Sequence, residues 1–456
     1  MPLISEALIK KYATNGPRYT SYPTAPNWKP IDPQTQRDWY LANRLSQRPV
    51  SLYFHVPFCQ ERCTYCGCNT MLTRSQEKVS AYLAYLLQEL DALRGYGLQG
   101  RVLRQIHFGG GTPTYLLDEE FTLLINKARE LFVFEEDAEI AIEVDPCFTR
   151  PGQLEHLASL GFNRMSLGVQ DFDPQVQKAV NRVQSIEITQ EHLEKARKLG
   201  FTGVNFDLIY GLPFQTLQSF TRTLEQVIEL RPDRLALYNF AFLPGQLPHQ
   251  KGMDPATLPD EKAKLDIFFM AMEKFGQAGY RYIGMDHFAL ETDELSRAQA
   301  NRSLYRNFMG YSPKSGVDTY GVGITSIGET DSFFVQNEKD LNLYMQKINQ
   351  GGLAGAKGIF LSLDDKIRKW TILRLICHFY LDYAEFRAAW DCDFTDYFAA
   401  ELAGLGEEVS DGLLALHPQH LRILDPGKIL VRNICMHFDA YLKQPDRPSV
   451  QFSKTL

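Results

Sequence analysis

Four of the chain's eight cysteines fall within ten residues, in CQERCTYCGC at positions 59–68. Cys59, Cys63 and Cys66 follow the spacing C-x3-C-x2-C, and Cys68 comes two residues later. Thiols this close together hold a metal ion or a metal cluster. A structural zinc ion asks for four ligands in a tetrahedron, usually as two separated pairs, and no second pair follows downstream. An iron–sulfur cube also takes cysteine thiolates, and three from one loop hold three of its irons. The fourth iron is then open to a ligand from outside the chain. Cys68 would have to fold back sharply to close the site and is read as a non-ligand. The spacing favours a [4Fe–4S] cluster on Cys59, Cys63 and Cys66 over zinc.

A second signal lies at FGGGTPTYL, 108–116. Three consecutive glycines let the backbone approach a ligand closely, because no Cβ intervenes.

These loops must be positioned by something regular. From residue 50 to about 285 short β-rich runs alternate with helical patterns. The strands read as SLYFHVP (51–57), RQIHF (104–108), EIAIEV (139–144), RMSLGV (164–169), GVNFDLI (203–209) and RLALYNF (234–240). The cysteine loop follows the first strand and the glycine run follows the second. Thr73 and Gln76 fit a capping box, after which Val79, Tyr82, Leu83, Leu86, Leu87, Leu90 and Leu93 trace one helical face. LGF at 160–162 and 199–201, and AGY at 278–280, put a glycine at each helix end and an aromatic at each strand start. Such βα alternation predicts parallel strands with helices outside, as a barrel or partial barrel.

Alternation also sorts the polar residues by face. Tyr53 and His55 share one, as do Ala141, Glu143 and Asp145; Ser166, Gly168 and Gln170; Asn205 and Asp207; Leu237 and Asn239. Polar groups at the C-terminal ends of barrel strands are where such folds bind and react. Beyond residue 290 the pattern is lost. Residues 306–329 read as glycine-rich and irregular, and Gly321-Val322-Gly323 lacks the third glycine of a dinucleotide fingerprint. From about 361 the chain reads as mainly helical. The expected division is an N-terminal segment 1–48, a barrel domain 49–345 and a helical C-terminal domain 361–456.

The net charge of −7 excludes a general nucleic-acid or anionic-membrane binder, which needs a basic field. The first residues, MPLISEALIKKYATNGPRYTSYP, lack the apolar core of a signal peptide, and no apolar run is long enough to span a bilayer. The chain is therefore expected in the cytoplasm with its thiols reduced. Cys147, Cys377, Cys392 and Cys435 are expected to be small buried hydrophobes.

With these residues in view, the chain resembles radical S-adenosylmethionine enzymes, and within them the oxygen-independent coproporphyrinogen III oxidase (coproporphyrinogen III dehydrogenase) family of haem biosynthesis. The likeness runs through GPRYTSYPTA (16–25), CTYCGCN (63–69), HFGGGTPTYL (107–116), IEVDP (142–146), GVQDF (168–172), VNR (180–182), DLIYGLP (207–213), GMDHFA (284–289) and RNICMHFD (432–439). It implies an α/β fold with a parallel (βα)6-type partial barrel, an N-terminal extension and a mainly helical C-terminal domain. It implies that Cys59, Cys63 and Cys66 hold the [4Fe–4S] cluster and that two S-adenosylmethionine molecules bind. Tyr53, Gly110, Glu143 and Ile327 match the family's positions around the first. Tyr65, Gly111, Thr112, Gln170, Arg182, Asp207 and Ala241 match those around the second. Tyr53, Glu143, Phe308 and Ile327 match its catalytic positions. The implied reaction converts two propionates of coproporphyrinogen III to vinyl groups, giving protoporphyrinogen IX, with a flavodoxin or ferredoxin as electron donor and an electron acceptor left open. The expected protein is a monomer that neither binds nucleic acid nor inserts into a membrane.

One position departs from the family. Where its members usually have Phe-Gln, this chain has Phe308-Met309, and methionine supplies no amide donor. Arg18 and Arg306 are candidate partners for the substrate's propionates. The alternatives are a related haem chaperone, whose members generally lack the GPRYTSYP segment and the cysteine at Cys68, and a zinc-stabilised binding protein without turnover.

Overall fold

The structure is a computed structural model that describes residues 4–443, 452, 454 and 455. Contacts divide the chain into two compact units. One comprises Lys29–Lys274 and Gly316–Phe360; the other comprises Met1–Trp28, Phe275–Ser315 and Leu361–Leu456. The continuous segments expected from sequence are thus cut differently, with the first residues grouped with the last, and residues 444–451 of the expected C-terminal domain lie outside the described residues.

The first unit alternates β1 (Val50–Val56), α1 (Gln76–Ala92), β2 (Val102–Gly110), α2 (Asp118–Leu131), β3 (Val133–Val144), α3 (Gln153–Ser159), β4 (Arg164–Gln170), α4 (Ile186–Lys198), β5 (Gly203–Tyr210), α5 (Leu217–Leu230) and β6 (Arg234–Asn239). The six strands pair in parallel in chain order. A further strand, β7 (Asp318–Val322), lies parallel to the free side of β1. It leads through β8 (Ile327–Glu329), β9 (Phe333–Asn337) and β10 (Gly355–Phe360) in antiparallel order. The segment expected to be irregular thus supplies two strands of this sheet and, before them, a two-stranded hairpin, Tyr305–Asn307 with Gly310–Ser312.

One face of each strand is apolar and meets the helices. Leu52, Phe54, Ile106, Phe108, Ile142, Leu167, Phe206 and Leu208 are fully buried on it. Phe54 stacks on Phe108 with ring centroids 4.7 Å apart, and Phe108 meets Phe121 of α2 edge-on at 5.4 Å. Each such side chain contributes about 1.5–3 kcal/mol by leaving water. The α1 face packs as its spacing predicts, except that Leu87 is only half-buried. Its cap lies two residues from the expected place: Ser75 accepts from the Lys78 amide, and Thr73 accepts from the Ser75 amide. Gly161 and Gly200 take positive φ, 99° and 86°, at the joins where LGF predicts a left-handed turn.

The second unit is mainly helical. Its longest helix wholly inside the unit is Leu363–His378, and Tyr380–Asp382, Leu414–Leu416 and His420–Ile423 form a small antiparallel sheet. Arg432, buried in Val431–His437, donates to the carbonyls of Pro17 at 2.9 Å, Lys454 at 2.8 Å, and Gly16. Asn433 donates to the Tyr12 carbonyl at 2.9 Å, and Tyr19 donates to Asp439 at 3.1 Å. These contacts are why the early residues belong to this unit. Among the described residues, no helix is long and apolar enough to cross a membrane.

Candidate active site

Register brings the polar strand faces into rows. Tyr53 sits beside His107, and His107 beside Ala141. Glu143, Ser166 and Asn205 stand side by side on β3, β4 and β5, and Gly168 is level with Asp207. Beyond these strand ends lies a cavity of about 490 Å³. Cys59, Cys63, Cys66, Tyr65, Gly110, Gly111, Thr112, Glu143, Gln170, Arg182 and Asp207 all line it. Most of the residues expected at the site are therefore together. Four stand elsewhere. Tyr53 lies behind the lining, its ring stacked on His107 at 5.8 Å; Ile327 opens β8; Ala241 follows β6. Phe308 belongs to the other unit, at the tip of the hairpin formed by Tyr305–Asn307 and Gly310–Ser312, next to Met309.

The cysteine loop leaves β1 through a narrow neck. Phe58–Cys59 pairs in parallel with Met71–Leu72, and the Met71 and Thr73 amides donate to the carbonyls of Pro57 and Cys59 at 2.7 and 3.0 Å. His55 reaches the same loop. Its Nε2 lies 3.1 Å from the Asn69 carbonyl, which can only accept, so Nδ1 is left to accept from the Tyr53 hydroxyl at 3.2 Å. Burial lowers the His55 pKa, in keeping with that neutral tautomer. Between the second and third cysteines, Tyr65 packs against Val176, Val180, Ile209, Leu212, Phe240 and Met253.

Two cysteine sulfurs receive donors from the barrel rim. The Thr112 hydroxyl lies 3.4 Å from Cys59 Sγ, and Arg182 Nη1 lies 3.9 Å from Cys63 Sγ. Arg182 Nη1 also donates to Asp145 at 2.6 Å, and Nη2 to the Gly168 carbonyl at 2.7 Å. Burial pushes the Cys59 thiol up to about 11, and a metal that bound its thiolate would displace the proton to solvent. Cys66 and Cys68 act on each other: the Cys68 thiol hydrogen-bonds Cys66 and draws its pKa down, while its own rises.

Glu143 and the glycine run are fitted together. The Gly110 amide donates to Glu143 Oε2 at 3.0 Å, and His107 Nε2 lies 3.3 Å from Oε1. Burial alone would raise the Glu143 pKa, but these two partners outweigh it and hold the carboxyl below its usual value. A Cβ on Gly109 would lie 2.7 Å from Glu143 Oε1, and one on Gly111 would lie 2.8 Å from the backbone of Pro57 and Phe58. A larger residue at 109 would push Glu143 aside, and one at 111 would meet backbone that cannot yield. Asp207 accepts from Ser166 Oγ at 2.7 Å and Asn205 Nδ2 at 3.0 Å, and burial lifts its pKa to about 6.

Three things were not legible in the sequence. Cys147, expected to be buried and inert, is exposed and lines the cavity. His107 was visible only as part of a motif; register sets it beside Ala141, and its ring reaches Glu143, two residues further along β3. His249, with Nε2 at 2.8 Å from the Cys66 carbonyl, gave no signal at all.

The donor set fits an iron–sulfur cluster. All four thiols of the loop, Cys68 included, line one cavity, and three of them suffice to take a different iron each.

A profile of the Radical SAM superfamily matches residues 53–227. The chain is 45% identical over 450 residues to the oxygen-independent coproporphyrinogen III oxidase of Escherichia coli (strain K12), covering 99% of this chain and 98% of that protein. It is 41% identical over 452 residues to the enzyme of that name from Pseudomonas aeruginosa, covering 98% of each. The solved structure of coproporphyrinogen III oxidase (HemN) from Escherichia coli, a radical SAM enzyme, superposes with a TM-score of 0.91 at 42% identity, covering 97% of this chain and 100% of that one. Strand order, cysteine loop and end-to-end likeness agree: this chain belongs to the oxygen-independent coproporphyrinogen III oxidase family of radical S-adenosylmethionine enzymes.

Proposed function

We propose that this protein carries out the anaerobic oxidative decarboxylation of two propionate side chains of coproporphyrinogen III, giving protoporphyrinogen IX. The observation that carries the reading is that three cysteines, the Glu143–Gly110 pair, Arg182 and Asp207 line one cavity beyond the barrel strands. When bound, the cluster and S-adenosylmethionine supply a carbon-centred radical that takes hydrogen from a propionate β-carbon, after which CO2 and one electron leave.

The chain's own groups bind, orient and shield. Cys59, Cys63 and Cys66 hold the cluster. Glu143 stays ionised beside the Gly110 amide and accepts from the ammonium of the first S-adenosylmethionine, with Tyr53 and Ile327 completing that site. Tyr65, Gly111, Thr112, Gln170, Arg182, Asp207 and Ala241 form the site of a second molecule. There Arg182 pairs with a carboxylate and Asp207 accepts from ribose hydroxyls. By the family resemblance, Phe308 is a further catalytic position. The reading includes a monomer working in the cytoplasm, a flavodoxin or ferredoxin as electron donor and a separate electron acceptor. The names of the relatives support the oxidase over a haem chaperone.

The test is anaerobic: reconstitute with iron and sulfide, supply S-adenosylmethionine, a reductant, an acceptor from cell extract and coproporphyrinogen III, and weigh the tetrapyrrole. The expected product is lighter by two CO2 and four hydrogens. Unchanged substrate with an intact cluster, in both the native chain and Met309→Gln, would overturn the reading.

A further inference from the structure

We propose that His249 is a positioning residue for the cysteine loop, fixing the Cys66 carbonyl so that the third thiolate is presented in register with the other two. The proposal rests on the cluster reading above.

The two ends of the loop are secured differently. Cys59 lies in the neck, where backbone pairing with Met71–Leu72 fixes it and Thr112 meets its sulfur. The turn holding Cys63, Tyr65 and Cys66 is remote from that pairing and depends on contacts from other loops. Thr64 donates its amide to the Val180 carbonyl at 3.1 Å, and Asn181 donates to the Arg62 carbonyl at 3.1 Å. Both act before Cys66. At Cys66 itself the hold from another loop is His249 Nε2, at 2.8 Å from the carbonyl. A carbonyl only accepts, so Nε2 carries the proton.

A positioning residue must itself be held, and His249 is. It sits in the turn Pro248–Gly252, whose Gln250 is fully buried. Gln250 Oε1 accepts from the Leu243 amide at 2.5 Å, and Nε2 donates to the Ala241 carbonyl at 3.1 Å. Met253, just beyond, joins the apolar cluster against which Tyr65 packs. The segment after β6 therefore meets the cysteine loop twice, through an apolar contact at Tyr65 and a polar one at Cys66. Removing the imidazole leaves the first contact intact and frees the second.

The test compares the native chain, His249→Ala and His249→Gln, whose amide N–H can still reach a carbonyl. Hydrogen–deuterium exchange across residues 60–70 of the full-length apoprotein reads loop order without any cluster. Iron release to a chelator from the reconstituted protein reads the cluster's hold. Loss of one hydrogen bond is expected to speed both about 3- to 10-fold in His249→Ala, with an unchanged thermal midpoint and restoration in His249→Gln. Exchange in His249→Ala indistinguishable from native would overturn the proposal. A native chain that takes up no iron and sulfide would sink the cluster reading instead, while the apoprotein exchange would still decide the role of His249.

Discussion

Arg101 donates to Asp318 at 2.7 Å at the N-terminal end of the barrel strands, and Arg182 donates to Asp145 at 2.6 Å at their C-terminal end. The two pairs are chemically alike, yet their surroundings differ. Asp318 is fully buried and also accepts from Asn43 at 2.9 Å and Ser46 at 2.7 Å, while Arg101 reaches the Tyr320 hydroxyl at 3.3 Å and the Arg48 carbonyl. Arg48 Nε lies 3.4 Å from Asp318 Oδ1 as a second cation, and Arg101 Nε is buried without a hydrogen-bond partner. Arg182 spends part of its guanidinium on Asp145 and Gly168 but borders the cavity and stands near Cys63. A buried ion pair with its partners in place locks a structure, whereas the same pair facing a cavity orients a charge for something that enters. The barrel divides its labour along the strand axis, with stability at one end and chemistry at the other.

Breaking the Arg101–Asp318 pair should give the largest effect. Asp318→Ala leaves the Arg101 guanidinium buried and uncompensated, at an expected cost of about 3–5 kcal/mol. Denaturant unfolding would read it, with activity per folded molecule retained. A loss of activity without a loss of stability would erase the distinction between the two ends. Arg182→Gln should do the reverse, lowering turnover on the order of 100-fold, or about 2.7 kcal/mol, while moving the unfolding midpoint less than Asp318→Ala does.

The smallest effect concerns pH. The Asp207 carboxyl titrates near 6 because it is buried and close to Glu143, against an ordinary value of 3.8. A raised folded pKa means that the stability linked to this proton is fully present below about 3.8 and lost as pH rises through about 6. Ligand binding runs the other way, because the ionised carboxylate is the better acceptor for ribose hydroxyls. Affinity for S-adenosylmethionine, titrated calorimetrically on the reconstituted protein, should fall several-fold from pH 7 to pH 5, and Asp207→Asn should flatten the profile. A flat profile in the native chain would remove Asp207 from the site.

Much of this division could be read before any coordinates. The six barrel strands lie within a few residues of their expected places, except β3, which begins six residues early. The reason is that glycine ends the helices before β4 and β5, proline follows the one before β6, and β-branched and aromatic residues fill the strands. Glu143 and Asp207 could be found because alternation puts them on the lumen face, whereas Gln170 lies past a register shift in β4 and takes a φ of 64°. β7 could not. Its five residues, DTYGV, are all buried, so they show no alternation, and they sit in a glycine-rich run. Cys147 was misjudged because its exposure depends on what the neighbouring strand end leaves uncovered. His249 lies in a loop, where position follows from the packing of Gln250 and Met253 and no periodicity announces it. The α1 cap went to Ser75 over Thr73 because both residue types can cap, and only backbone geometry chooses between them.

The latch made by Arg432 has a consequence in time. Its acceptor at Pro17 precedes it by 415 residues, so a ribosome adding about 5–20 residues each second needs on the order of 20–80 s to deliver the partner. Through that interval Ile9, Tyr12, Tyr19 and Tyr22, all buried in the finished protein, have no completed unit to enter. The barrel unit, by contrast, has its whole sequence once residue 360 has emerged. The part of the chain that is made early is among the last to find its place.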